Sequence, residues 1–237
     1  MKRTVTFIIV FLAALSLAAA SCYILARSWP PRSTGAQKTF AAFRLYKLSP
    51  AGNKPAKSAA ADLDGDGINE DYVLQNGALK VTAGSALVWQ SLPEWWVDDF
   101  VLADSNNDGR IDLNLSVWKA GDFGPSHPFW IKENDQSVKN HFFIFDFRGG
   151  RLKPVWQSSN LEAPNCRFEI ADADHDGKNE LLALEGDYAD WPACAGKYQA
   201  LWRWNGWGFT NWWRGVKGDY DVLDIKAIIS GIQSANK

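Results

Sequence analysis

The chain is poor in the residues that carry most metal, redox and acid–base chemistry. It holds three histidines, three cysteines and one methionine in 237 residues. His127, His141 and His175 share no zinc spacing, and no phosphate-cradling glycine loop or nucleophile elbow occurs. There is no basic run, and the formal net charge is -2. A nucleic-acid binder needs a basic stripe to track phosphates, so nucleic acid is excluded as a partner. These absences leave an enzyme one inconspicuous route, a pair of carboxylates, which makes no sequence signature.

Tryptophan is abundant, with 13 copies. Its side chain buries a large area and favours sheets, so most copies are expected in a core. Apolar residues make up 46% of the chain, enough for one packed domain.

The N-terminus reads as an export signal. Met1, Lys2 and Arg3 are followed by an uncharged apolar run over residues 4–26. Three fates compete. Ala18 and Ala20 form a cleavage site before Ser21, which gives a secreted protein. Ala19, Ala20, Ser21 and Cys22 loosely resemble a lipidation box without its usual leucine. The run is also about 23 residues long, enough to stay as a membrane anchor. Residues 27–39, with Pro30 and Pro31, read as a linker, and residues 40–237 as the folded domain. The domain is therefore expected outside the cytoplasm, anchored by residues 4–26 or released after cleavage near Ala20. Outside the leader only Cys166 and Cys194 remain. In an exported chain the pair points to a disulfide, with two buried thiols as the plainer alternative.

The domain repeats itself. Asp62, Asp64, Asp66, Gly67 and Glu70 recur as Asp104, Asn106, Asp108, Gly109 and Asp112, then as Asp172, Asp174, Asp176, Gly177 and Glu180. The shared form is D-x-[DN]-x-D-G-x-x-[DE]. Strand-like runs flank each copy. A second signature, Val88-Trp89-Gln90-Ser91, returns as Val155-Trp156-Gln157-Ser158, with Trp212 and Trp213 in a weaker third copy. Asn76-Gly77, Gly149-Gly150 and Asn205-Gly206 mark two-residue hairpin turns, where both central residues take positive φ. Each unit thus reads as four strands in a meander, and the fold as all-β. Three complete units fill residues 57–215, the arrangement of propeller blades. Segments 40–48 and 220–229 are strand-like. Either they make a fourth blade from both chain ends, or three blades form an open arc that needs a partner.

Alternating aspartates in a tight loop converge on one point, which suits calcium with its six to eight oxygen ligands. Positions 1, 3 and 5 offer side chains. Position 7, at Ile68, Arg110 and Lys178, offers a backbone carbonyl, and position 9 a further acid. An EF-hand would need Glu at position 12 and flanking helices. Val73, Leu115 and Ala183 stand there instead, between strands. Plain Asp/Gly turns are the bland alternative. Three copies, each with an acid at position 9, favour calcium, because like charges packed together without a cation repel.

On these loops and flanks the chain resembles the FG-GAP/VCBS repeat family, calcium-loop propeller blades of integrin α-chains and bacterial exported proteins. The resemblance covers most of residues 57–215. It implies up to three Ca2+ ions in a mainly structural role, held at the loop positions just named. The family's larger blade number and its Phe-Gly and Gly-Ala-Pro signatures are not matched.

In a meander blade the aspartate loops share one face, and the longer insertions lie on the other. Trp95, Trp96, Trp130, Tyr188 and Trp191 belong to that second face. They are expected either to bind a protein or glycan ligand, or to fold back as caps. Two functions follow: a non-catalytic binding, adhesion or scaffold module at the cell surface, or a hydrolase of extracellular or wall polysaccharide that uses loop carboxylates.

Overall fold

The computed structural model describes residues 56–123, 132, 135–190 and 193–235. The leader, the linker and segment 40–48 lie outside the described residues, as do Trp130 and Trp191. The described residues form three separate four-stranded antiparallel sheets, each an open meander in chain order. The first holds β1 (Lys57–Ala61), β2 (Glu70–Gln75), β3 (Ala78–Ala83) and β4 (Ala86–Gln90). The second holds β5 (Trp96–Ala103), β6 (Asp112–Ala120), β7 (Val138–Phe147) and β8 (Leu152–Gln157). The third holds β9 (Asn165–Ala171), β10 (Glu180–Glu185), β11 (Tyr198–Trp204) and β12 (Phe209–Arg214).

Turn chemistry sets these meanders. Asn76 and Gly77 have φ of 52° and 72°, and Gly149 and Gly150 have 57° and 69°. Both pairs are two-residue turns whose twist matches the strands they join. The turn at Asn205 differs from the expected two-residue form. It spans residues 205–208, because the Asn205 side chain accepts from the N–H groups of Trp207 (2.9 Å) and Gly208 (3.0 Å). That capping stabilises a longer loop.

The second sheet lies between the other two, so β6 and β7 are buried almost from end to end. Leu113, Leu115, Phe143 and Phe145 face the first sheet and meet Tyr72, Leu79 and Val81. Phe142 and Ile144 face the third sheet and meet Phe168 and Leu181. Each such side chain contributes about 1.5–3 kcal/mol of burial. A sheet covered on both faces needs apolar residues at consecutive positions, which explains the unbroken run from Phe142 to Phe145.

The third sheet is closed off differently from the expected fourth blade. Residues 220–229 do not form a strand. Tyr220 makes a single bridge to Gly196, and Ile225–Ala235 is a helix, α1. The reason is visible in the spacing. Ile225, Ile228, Ile229 and Ile232 fall at i, i+3, i+4 and i+7, a helical stripe. The Asp224 carboxylate caps the first turn by accepting from the Ala227 N–H at 3.1 Å. Ile228 and Ile232 pack on Leu182 and Leu201, covering the face that a further sheet would need.

Candidate metal centre

The three aspartate loops share one backbone. Position 4 is left-handed in each: Gly65 at 74°, Asn107 at 59° and His175 at 63°. Position 6 is left-handed too, with φ of 88° at Gly67 and 86° at both Gly109 and Gly177. A β-carbon is strained there, which accounts for the invariant glycine within the chain.

The hydrogen bonds repeat as well. The position 1 carboxylate accepts at least two N–H groups. For Asp62 these are Gly65 at 2.7 Å, Asp66 at 3.1 Å and Gly67 at 2.8 Å. For Asp104 they are Asp108 at 3.1 Å and Gly109 at 2.8 Å. For Asp172 they are Asp176 at 3.1 Å and Gly177 at 3.0 Å. Position 3 accepts from the position 5 N–H at Asp64 (3.3 Å), Asn106 (3.0 Å) and Asp174 (3.2 Å). Position 5 accepts from the N–H groups of Ile68, Arg110 and Lys178 at 2.8, 3.1 and 2.9 Å. The loops are thus braced by their own side-chain oxygens at positions 1, 3 and 5.

Position 9 closes each loop from below. Glu70, Asp112 and Glu180 are each 1% exposed. Glu70 accepts the Leu63 N–H at 3.2 Å, and Glu180 accepts the Ala173 N–H at 3.0 Å. Burial, reinforced by neighbouring loop carboxylates, raises the carboxyl pKa of all three, and Asp112 is pushed up to about 7. Asp112 Oδ2 is buried without a hydrogen-bond partner.

The loops differ in what already neutralises them. In the first, carboxylate oxygens of Asp62, Asp64 and Asp66 lie within 4.8 Å of one another, and the Gly150 N–H of the neighbouring sheet donates to Asp64 at 3.0 Å. In the third, Asp172, Asp174 and Glu180 come together. Arg203 pairs with Asp174 there and approaches Glu180 at 3.4 Å. In the second loop Asp108 turns to Arg110, which also lies 3.9 Å from Asp146. The second and third loops are stitched together: the Asn107 side chain donates to the Asn179 carbonyl at 3.0 Å and accepts its N–H at 2.7 Å. None of these carries a local sequence signal: Arg203 reaches its loop from a later strand of the same sheet, and Gly150 and this Asn pair meet their loops across sheets.

A hard divalent cation fits this donor set. The groups offered are oxygens, and among the described residues the first and third loops each bring three acids together.

On the opposite face three of the five expected ligand aromatics, Trp95, Trp96 and Tyr188, are among the described residues. Trp96 is 5% exposed and packs with Trp118, over Gly77, where a β-carbon would sit 2.4 Å from its ring. Trp95 packs against Phe143 at 5.1 Å. Tyr188 stands edge-on to Trp118 at 5.9 Å and donates its hydroxyl to the Leu161 carbonyl at 2.9 Å. Burial pushes that phenol up to about 12. Trp96 is thus a core residue, and Trp95 and Tyr188 are half-buried.

Cys166 and Cys194 are joined by a disulfide, with Cα atoms 5.3 Å apart. Gly186 packs against the bridge, since a β-carbon there would fall 2.6 Å from Cys166 Sγ. Of the carboxylates on that face, Glu185 is taken by Arg214 at 2.8 Å and by Trp202 Nε1 at 2.8 Å. Asp122 accepts the Asn160 N–H at 2.6 Å, and Ser137 holds the Asp135 carboxyl below its usual range. No family model matches the chain, and no curated protein or solved structure matches it either.

Proposed function

We propose that this protein is an exported, calcium-loaded binding module without catalytic activity, its three sheets serving as blades of a small open propeller of the FG-GAP/VCBS kind. Residues 4–26 hold it at a membrane, or cleavage near Ala20 releases it. Its partner is a protein or a glycan outside the cytoplasm. The observation that carries this reading is the geometry the three loops share: two left-handed residues, the same four backbone-to-side-chain bonds, and a buried acid below. Turns that merely reverse a chain have no need of a buried acid surrounded by like charges.

Asp62, Asp64, Asp66, Asp104, Asn106, Asp108, Asp172, Asp174 and Asp176 supply side-chain oxygens in this reading. Glu70, Asp112 and Glu180 anchor the ion from below. Bound calcium adds positive charge that offsets carboxylate repulsion and ties each strand pair together. The test is thermal melting of the chelator-stripped protein with and without calcium, with magnesium as control. Calcium is expected to raise the melting temperature well above what magnesium gives, since only calcium tolerates seven or eight ligands in an irregular loop. Equal melts in all three conditions refute the reading.

A further inference from the structure

The aspartate-loop face carries three large apolar side chains that the loop chemistry does not call for. Ile68 is 55% exposed, Ile111 47% and Trp207 86%. Each belongs to a different sheet: Ile68 and Ile111 to the aspartate loops of the first and second, Trp207 to the 205–208 turn of the third. Contacts at that end of the molecule put them on one face. Gly150 reaches Asp64, Asn107 reaches Asn179, and Arg203, next to the Trp207 turn, pairs with Asp174. Turns are ordinarily polar and tryptophan is ordinarily buried, so an indole left almost wholly in water marks a contact surface. The Trp207 N–H is bonded to the Asn205 side chain at 2.9 Å, which fixes the backbone of that tip.

Basic side chains stand among the tips. Position 7 is Ile68 in the first loop, Arg110 in the second and Lys178 in the third, all exposed. Arg148 and Arg151 flank the Gly149-Gly150 turn on the same face and are exposed too. Against them the three loops set eleven carboxylates at positions 1, 3, 5 and 9, which repel phosphate while bare. Three calcium ions offset six of those charges, and Arg110, Lys178 and Arg203 offset three more. The loaded face then presents aliphatic and indole tips ringed by arginine and lysine. That combination suits the boundary of a bilayer: indole favours the interface, aliphatic tips enter the acyl edge, and guanidinium groups pair with phosphate. Tips on three separate sheets are discrete contact points, which fit a deformable lipid surface better than one extended peptide.

We propose that the aspartate-loop face docks on an anionic phospholipid surface when its loops hold calcium, with Ile68, Ile111 and Trp207 entering the interface. The proposal rests on the calcium reading of the loops and adds a partner whose chemistry differs from a protein or glycan.

In the full chain residues 4–26 can hold the protein on any vesicle, so capture does not discriminate, and the readout is the depth of Trp207. The full chain is mixed with phosphatidylglycerol vesicles carrying brominated acyl chains, which quench indole fluorescence on contact. Wild type and Trp207→Phe are compared, so their difference reports Trp207 alone. Calcium is expected to add quenching in wild type and none in the variant, and to add none with brominated phosphatidylcholine. Lipid and calcium then assist each other reciprocally: phosphatidylglycerol is expected to lower the calcium midpoint at least about fivefold relative to phosphatidylcholine. Ile111→Ser, at an exposed position that is not a ligand, is expected to shrink that shift. Trp207 quenching that is equal with calcium and with chelator, or equal on both lipids, overturns the proposal. A calorimetric calcium titration of the same protein separates the two readings. Calcium heat without the Trp207 signal overturns docking and leaves the loop reading standing, and the absence of both overturns both.

Discussion

Glu70, Asp112 and Glu180 each lie buried among at least two other carboxylates, and each is raised mainly by burial. The loop aspartates above them were legible in the sequence because their spacing is local and repeated three times. The arginines that answer them were not, because Arg203 and Arg110 differ in chain position relative to their loops. Removing one ligand tests the loops singly. Asp62→Asn is expected to lower calcium stoichiometry by one and to cost about 1 kcal/mol through the lost bond to the Gly67 N–H, leaving the fold intact. Calorimetry and a denaturant midpoint read both effects. His141 offers a separate residue-scale test. It is fully buried, and burial lowers its pKa to about 3. The unfolded chain takes up this proton near pH 6.5, but the folded chain does so only near pH 3. Stability is therefore lost as pH falls through that window, by at most about 1.4 kcal/mol per pH unit from this group. Wild-type and His141→Gln proteins, melted from pH 7 to pH 4, should differ in slope, the variant being flatter.

At the scale of elements, each meander followed from turn residues and from short apolar runs, so the four strands of all three units were readable. The helix α1 was not read, because four isoleucines in a short segment look like a strand unless their period is counted. Its packing predicts its worth. Ile228→Ala removes a side chain that is 0% exposed against Leu182 and Leu201, and should cost about 2–4 kcal/mol by urea titration. Gly231 lies where a β-carbon would come 2.2 Å from the Trp213 ring, so Gly231→Ala should destabilise although alanine favours helices. The aromatics at the opposite sheet ends were legible as a group but not by role. Loop position alone does not say whether a tryptophan caps or displays, and Trp96→Ala should act as a core truncation, costing about 3–5 kcal/mol. The Cys166–Cys194 bridge closes a loop with a sequence separation of 28. Reduction should cost about 3–4 kcal/mol on the chain-entropy account, seen as a lower urea midpoint with reductant.

At the scale of the molecule, the described residues stand as three sheets in a row with their aspartate loops on one face. The row ends at α1 on one side, and on the loop face the Asn107–Asn179 and Gly150–Asp64 hydrogen bonds join neighbouring sheets. The central claim is that the three loops are calcium sites, and direct calorimetric titration of the metal-stripped protein tests it most closely. The account predicts a stoichiometry near three. It also predicts added stability of about 2.7 kcal/mol per site at a hundredfold excess over Kd. A titration with no heat and no shift in the melt would contradict it and leave the aspartate loops as turns alone.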